Sequence, residues 1–204
     1  MTSTKDLLYY IPAGQYGKEG VLALLEQHPE IKFVSLVGID LAGNDTDEKI
    51  PMAAFFDDYE AFFEGRAVQT DGSSVVLTNI ATLNNARVDM WGDPSVNWFV
   101  DYNYENIDEA TGLPTGTLRI PAFLMHNYRY VDSRSILKNS CDYVRAELLS
   151  LIKEHGLPGM PHVKADDVVD IIFTSATELE FWVKTPSRTV TKKELSVSQK
   201  LQEQ

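Results

Sequence analysis

Two hydrophobic periods alternate along this chain, and their order predicts a mixed α and β protein. Between Lys18 and His28, Val21, Leu22, Leu24 and Leu25 gather on one side of a short helix that Pro29 closes. Phe33, Val34, Leu36, Val37, Ile39 and Leu41 form a β-rich run ending at Gly43-Asn44-Asp45. Thr46 to Met52 resumes as a second strand, which together with that turn is a hairpin signal. Ala53 to Glu64 sets Phe55, Phe56, Tyr59, Phe62 and Phe63 at helical spacing on an otherwise acidic segment stopped by Gly65, so a helix is expected to lie on the sheet. Strand-like segments follow at Arg66 to Thr70, Val75 to Leu77, Val88 to Trp91 and Trp98 to Val100, with a turn at Asp71-Gly72-Ser73-Ser74.

The order strand, strand, helix, strand, strand fits a β-grasp domain, and it also fits other small α+β folds. Asn103 to Gly116 is polar and rich in turn formers, reads as a loop or linker, and is where a domain boundary is expected. Beyond it, Thr117 to Met125 is a strand whose Pro121 favours an edge position or a bulge. Asp132 or Ser133 can cap a long helix carrying Ile136, Leu137, Cys141, Val144, Leu148 and Ile152, with Gly156 and Pro158 as its stop. Val168 to Phe173 then leads into a last strand, Thr174 to Val183. The expected organisation is a helical segment at 1–29, a β-grasp domain at 30–105, a linker at 106–116 and a second domain over 117–204.

Composition narrows the functions. The 204 residues are 44% hydrophobic, enough for one good core or two small ones. Lys and Arg total 18 against 30 for Asp and Glu, a net charge of −12, which argues against neutralising nucleic-acid phosphates or lying on anionic lipid. The stretch from Asp40 to Glu109 holds 15 acidic residues against Lys49, Arg66 and Arg87, whereas the polar tail from Lys184 is locally basic. No apolar run approaches the roughly 18 residues of a membrane-spanning helix. One cysteine and no signal-like start point to the cytoplasm.

Few residues carry a chemical signal. On a strand, Glu178 and Glu180 project to one face, and two adjacent carboxylates repel unless a cation lies between them, so this pair is a candidate site for Mg²⁺ or Mn²⁺. A solvated strand face has the same pattern. Asp71 stands in a turn that is an ordinary hairpin connection on one reading, and on another a carboxylate available to bind a cation or take a proton. The four histidines show no metal-ligand spacing, and Cys141 sits on the apolar stripe of its helix as a small core residue. Neither common glycine-rich phosphate cradle occurs.

In their order these pieces resemble the amino-terminal part of glutamine synthetase. Ile50-Pro51, Phe62-Phe63-Glu64-Gly65 and Asp71-Gly72-Ser73-Ser74 are similar to that family's strand end, helix end and D-G-S-S turn. Asp89-Met90 resembles its D-M strand, Asp132-Ser133-Arg134 its D-P-R helix start, and Glu178-Leu179-Glu180-Phe181 its E-x-E-F strand. The resemblance covers roughly Lys18 to Lys184. The chain differs at Ala176-Thr177, where Gly-Pro is usual, at Ser133 for Pro, and at Asp93-Pro94, which inverts the usual Pro-Asp.

The resemblance implies a β-grasp domain followed by the first part of a catalytic α/β domain. It implies that Asp71 binds ammonium and helps deprotonate it, with Ser73 and Ser74 beside it as substrate-binding residues. Glu178 and Glu180 would each hold a divalent metal, Mg²⁺ or Mn²⁺, while glutamate takes phosphate from ATP and ammonia or another amine displaces it. A homo-oligomer with shared active sites is implied as well. The family's remaining metal, nucleotide and glutamate ligands would fall beyond Gln204, so the chain is expected to be a portion that exposes apolar surface and associates with itself. A competing expectation is a non-catalytic β-grasp module that binds or regulates a complete synthetase.

Overall fold

The structure, a computed structural model, describes residues 7–15, 17–77, 83, 87–176, 178 and 180. The chain divides into two units, Met1–Asp170 and Ile171–Gln204. In chain order the first unit holds β1 (Tyr10–Ile11), α1 (Lys18–Glu26), β2 (Ile31–Ile39), β3 (Asp45–Pro51), α2 (Met52–Asp57), α3 (Tyr59–Phe63) and β4 (Val68–Asp71). It continues with β5 (Arg87–Gly92), β6 (Trp98–Ile107), β7 (Pro114–His126), β8 (Arg129–Tyr130) and α4 (Ser133–His155), with 3₁₀ turns at Gly72–Ser74 and Ala165–Asp167.

β7 alternates buried and half-buried residues over most of its length, and that period makes it the spine of the sheet. β2 runs parallel to its first half, Val34 opposite Leu118 and Leu36 opposite Ile120. β6 and β5 follow one another antiparallel along it, β6 against residues up to Arg119 and β5 from Ala122 to Met125. β3 pairs with β2, β4 with β5, β1 with β6 and β8 with the end of β7. The result is a mixed sheet whose central strand is the one that Pro121 marks as an edge in the sequence. Pro121 falls where neither β5 nor β6 pairs with β7, and its carbonyl accepts the Asp93 N–H at 2.8 Å. Its missing donor therefore leaves no rung of either ladder open.

Leu118, Ile120, Ala122 and Leu124 meet Val34, Leu36, Val88, Met90, Trp98 and Val100 in one core. Val21 and Leu25 of α1 join that core, as do Met52 and Phe55 of α2 and Phe62 of α3. The aromatic stripe therefore packs as its spacing requires, but the segment is two helices. Asp58, at φ −139° and ψ 63°, breaks the helical backbone between them. The polar stretch 103–116 is mostly paired: β6 reaches Ile107, and Thr111 and Asp108 close a hairpin into β7. The strand after it thus joins the same sheet as β2.

α4 begins and ends on local signals. Asp132 accepts the Ser135 N–H at 2.8 Å as its N-cap, and Gly156 stops it at φ +74°. Ser135 is its one buried residue, while Leu137, Tyr143, Val144, Leu148 and Leu151 are exposed. Contiguous apolar surface of this kind drives association. Sedimentation of the chain should therefore show concentration-dependent self-association that Leu137→Lys, Leu148→Lys and Leu151→Lys together suppress. A monomer at all concentrations would contradict this.

Candidate functional site

The Asp71 turn is built from its backbone outward. β4 delivers Asp71 antiparallel to β5, directly opposite Arg87, and the chain then enters the 3₁₀ turn. Asp71 caps that turn by accepting the Ser73 N–H at 2.7 Å, and the Val75 N–H closes it on the Gly72 carbonyl. Gly72, Val75 and Leu77 are buried, whereas Asp71, Ser73 and Ser74 are exposed. The side chains are thus offered to solvent by a turn whose apolar residues are anchored in the core.

Hydrogen bonds set the charge at this turn. The Ser73 N–H and then its hydroxyl hold the Asp71 carboxyl below the usual carboxylate range, so it is anionic at neutral pH. Arg87 carries positive charge on the neighbouring strand, its Nε 2.7 Å from Asp89. The structure brings Asp71, Ser73 and Ser74 together, as their adjacency in sequence requires.

Glu178 and Glu180 fall in the second unit, where both are exposed and neither lies in a strand or helix. Thr177, Leu179 and 181–183 of the strand expected over 174–183 lie outside the described residues. Phe181, Trp182 and the basic tail lie outside the described residues. Hard carboxylate oxygens match Mg²⁺ or Mn²⁺ in kind, but the described residues bring no three His, Cys, Asp or Glu side chains together.

Two further carboxylates, Asp40 and Asp93, are buried and fully partnered. Asp40, fully buried, accepts the N–H groups of Ala42, Asn44 and Val76 at 2.9 Å and the Asn44 amide at 3.0 Å. Asp93 accepts from the Ser95 N–H and hydroxyl and pairs with Arg134, which also stacks 4.7 Å from the Phe123 ring. The Asp-Pro and Asp-Ser-Arg motifs are thus joined by an ion pair. An Asp followed by Gly-Asn in a hairpin loop was the available signal for Asp40. Nothing local signals the Asp93 pairing, because its partner is 41 residues away.

Burial works against ionisation of both groups, yet the hydrogen bonds to Asp40, and the Ser95 and Arg134 bonds to Asp93, leave each below its usual 3.8. The unfolded chain therefore binds protons first as pH falls. The stabilisation is complete above about pH 5 and is lost as pH drops through the lower folded values. Thermal unfolding is expected at nearly constant temperature from pH 7 to 5 and at falling temperature from pH 4 to 2.5. Asp93→Asn should flatten the acid limb, and an unchanged limb in that variant would count against this assignment.

No protein-family model matches the chain, and no curated protein is significantly similar to it. Solved structures do match. One is described as a GmaS/ADP complex in its first conformation, 17% identical over 54% of this chain and 21% of that one, with a TM-score of 0.34. Another is Plasmodium falciparum glutamine synthetase, 14% identical over 67% of this chain and 24% of that one, with a TM-score of 0.44. The chain is thus similar in part to both, and spans about a quarter or less of the length of either.

Proposed function

We propose that this chain is the amino-terminal portion of a glutamine synthetase-like, ATP-dependent ligase that joins ammonia or another amine to the γ-carboxylate of glutamate. The observation that carries the reading is the Asp71 turn: an exposed, ionised carboxylate flanked by two serines, in a D-G-S-S motif that stands in family order between F-F-E-G and D-M. In this reading residues 30–105 form a β-grasp domain and 117–204 the first part of the catalytic domain, whose strand β7 shares the same sheet. Asp71 holds ammonium and receives a proton as the amine attacks the activated carboxylate. The depressed pKa serves the first task better than the second, because a weaker base binds a cation well and accepts its proton less readily. Mg²⁺ or Mn²⁺ would neutralise the transferring phosphate, with Glu178 and Glu180 as ligands, in a homo-oligomer whose active sites are shared between subunits.

Glutamate- and amine-dependent phosphate release from ATP, by a protein carrying this chain together with the rest of the catalytic domain, is the test. Asp71→Asn is expected to lower kcat/KM for ammonium by at least about a hundredfold, the usual scale for a general base. A rate equal to wild type would remove Asp71 from the mechanism. The exposed apolar side of α4 favours a second reading, an assembly or regulatory module that binds a complete synthetase without turning over ATP. Co-elution with such a synthetase, in the absence of ATP hydrolysis by this chain, distinguishes it.

A further inference from the structure

Asp40 uses one carboxylate to hold two loops. Three of its hydrogen bonds are local, to the Ala42 and Asn44 N–H groups and the Asn44 side chain. They shape the β2–β3 turn, which Gly43 completes at φ +84°. An exposed Asp or Asn would suffice for that task. Asp40 is instead fully buried, and burying a carboxylate is costly unless every lone pair finds a donor. The bond that burial adds is remote: Oδ2 accepts the Val76 N–H at 2.9 Å, 36 residues along the chain. The neighbouring Leu41 N–H donates to the Val76 carbonyl at 3.3 Å, so Val76 is gripped on both its backbone groups. Val76 directly follows the turn that presents Asp71, Ser73 and Ser74, whose other end is fixed by the β4–β5 ladder.

We propose that Asp40 is the positioning residue of the 71–74 turn, its buried carboxylate fixing through the Val76 amide where Asp71 stands. The consequence for ammonium rests on the ligase reading above; the clamp itself does not. In Asp40→Asn one oxygen becomes an NH₂ that faces two N–H donors whichever way the amide turns, so the charge-assisted Val76 bond is lost or reduced to a neutral one while size is kept. Val76→Pro deletes the same bond from the other side and leaves Asp40 intact.

Amide exchange of the 204-residue chain, read by mass spectrometry, is expected to rise at least about tenfold across 72–75 in both variants, the scale of one charge-assisted hydrogen bond. Peptides from β7 should exchange as in wild type. Unchanged exchange across 72–75 in either folded variant overturns the proposal, and Val76→Pro decides it if Asp40→Asn does not fold. In the ligase assay Asp40→Asn is expected to raise KM for ammonium about tenfold with KM for ATP within about twofold, the split of a displaced Asp71 rather than a generally weakened fold. Equal rises in both constants would overturn the positioning role. Absence of ATP turnover in the wild-type protein would sink the ligase reading, while the exchange result would still decide the clamp.

Discussion

Gly65→Ala is expected to destabilise the first unit by about 3 kcal/mol, through a strained backbone and an overfilled contact. Gly65 ends α3 at φ +66°, a conformation that costs an L-residue about 1 kcal/mol. A Cβ there would stand 1.9 Å from the Trp91 Nε1 and 2.3 Å from its neighbouring ring carbon. The ring has to leave its seat on β5, with a further cost of about 2 kcal/mol. For a chain of this size the midpoint should fall by roughly 6–12 °C. The two contributions separate in a double-mutant cycle, because in a Trp91→Leu background only the backbone term, about 1 kcal/mol, should remain. Additive effects of the two substitutions would show that the close approach is not what selects glycine. Among the described residues the buried Trp91 Nε1 has no hydrogen-bond partner, which accords with a ring placed to cover the Gly65 backbone.

Arg134→Met should cost as much or more, about 3–5 kcal/mol, and the asymmetry of the pair predicts which partner matters. The Asp93 side chain is 3% exposed and Arg134 is 41% exposed. Removing the arginine strands a carboxylate among Ser95, Trp98 and the β7 backbone. Removing the carboxylate leaves a guanidinium that water reaches. Asp93→Asn should therefore cost less than Arg134→Met, measured by urea unfolding at pH 7. The gap between wild type and Arg134→Met should narrow below about pH 4, where protonation removes the charge that the arginine stabilises. Equal costs at both pH values would assign the effect to lost packing on Phe123 instead.

What could be read from the sequence was what local chemistry decides. Asp132 caps α4, Gly156 stops it, and the aromatic stripe at Phe55, Phe62 and Phe63 faces the core, because each depends on spacing within a few residues. The hairpin of β2 and β3 belongs to the same class. Pro121 left edge or bulge open, and it sits centrally at the gap between the β6 and β5 ladders because edge or centre is a property of partners, which here come from residues 31–39 and 87–107. The polar arm 103–107 carries no strand signal since it pairs on one side and is exposed on the other. For the site, adjacency made Asp71, Ser73 and Ser74 legible, whereas Arg87 comes opposite Asp71 only through the β4–β5 register. Glu178 and Glu180 share a face only if 174–183 is a strand, and alternation alone cannot supply the neighbouring strand that would make it one.

The parallel pairing of β2 with β7 also sets a schedule for synthesis. Ile31 to Val37 find their partners at Gly116 to Pro121, and among the described residues no earlier strand pairs on that side of β2. While the ribosome is still making the intervening chain, the β2–β3 hairpin stands with one apolar edge open. Two strands alone are marginal in water. The first half of the nascent chain is therefore expected to stay unfinished until β7 emerges. Swapping frequent for rare codons between β3 and β7 should lengthen that exposure and lower the yield of folded protein without changing a single residue.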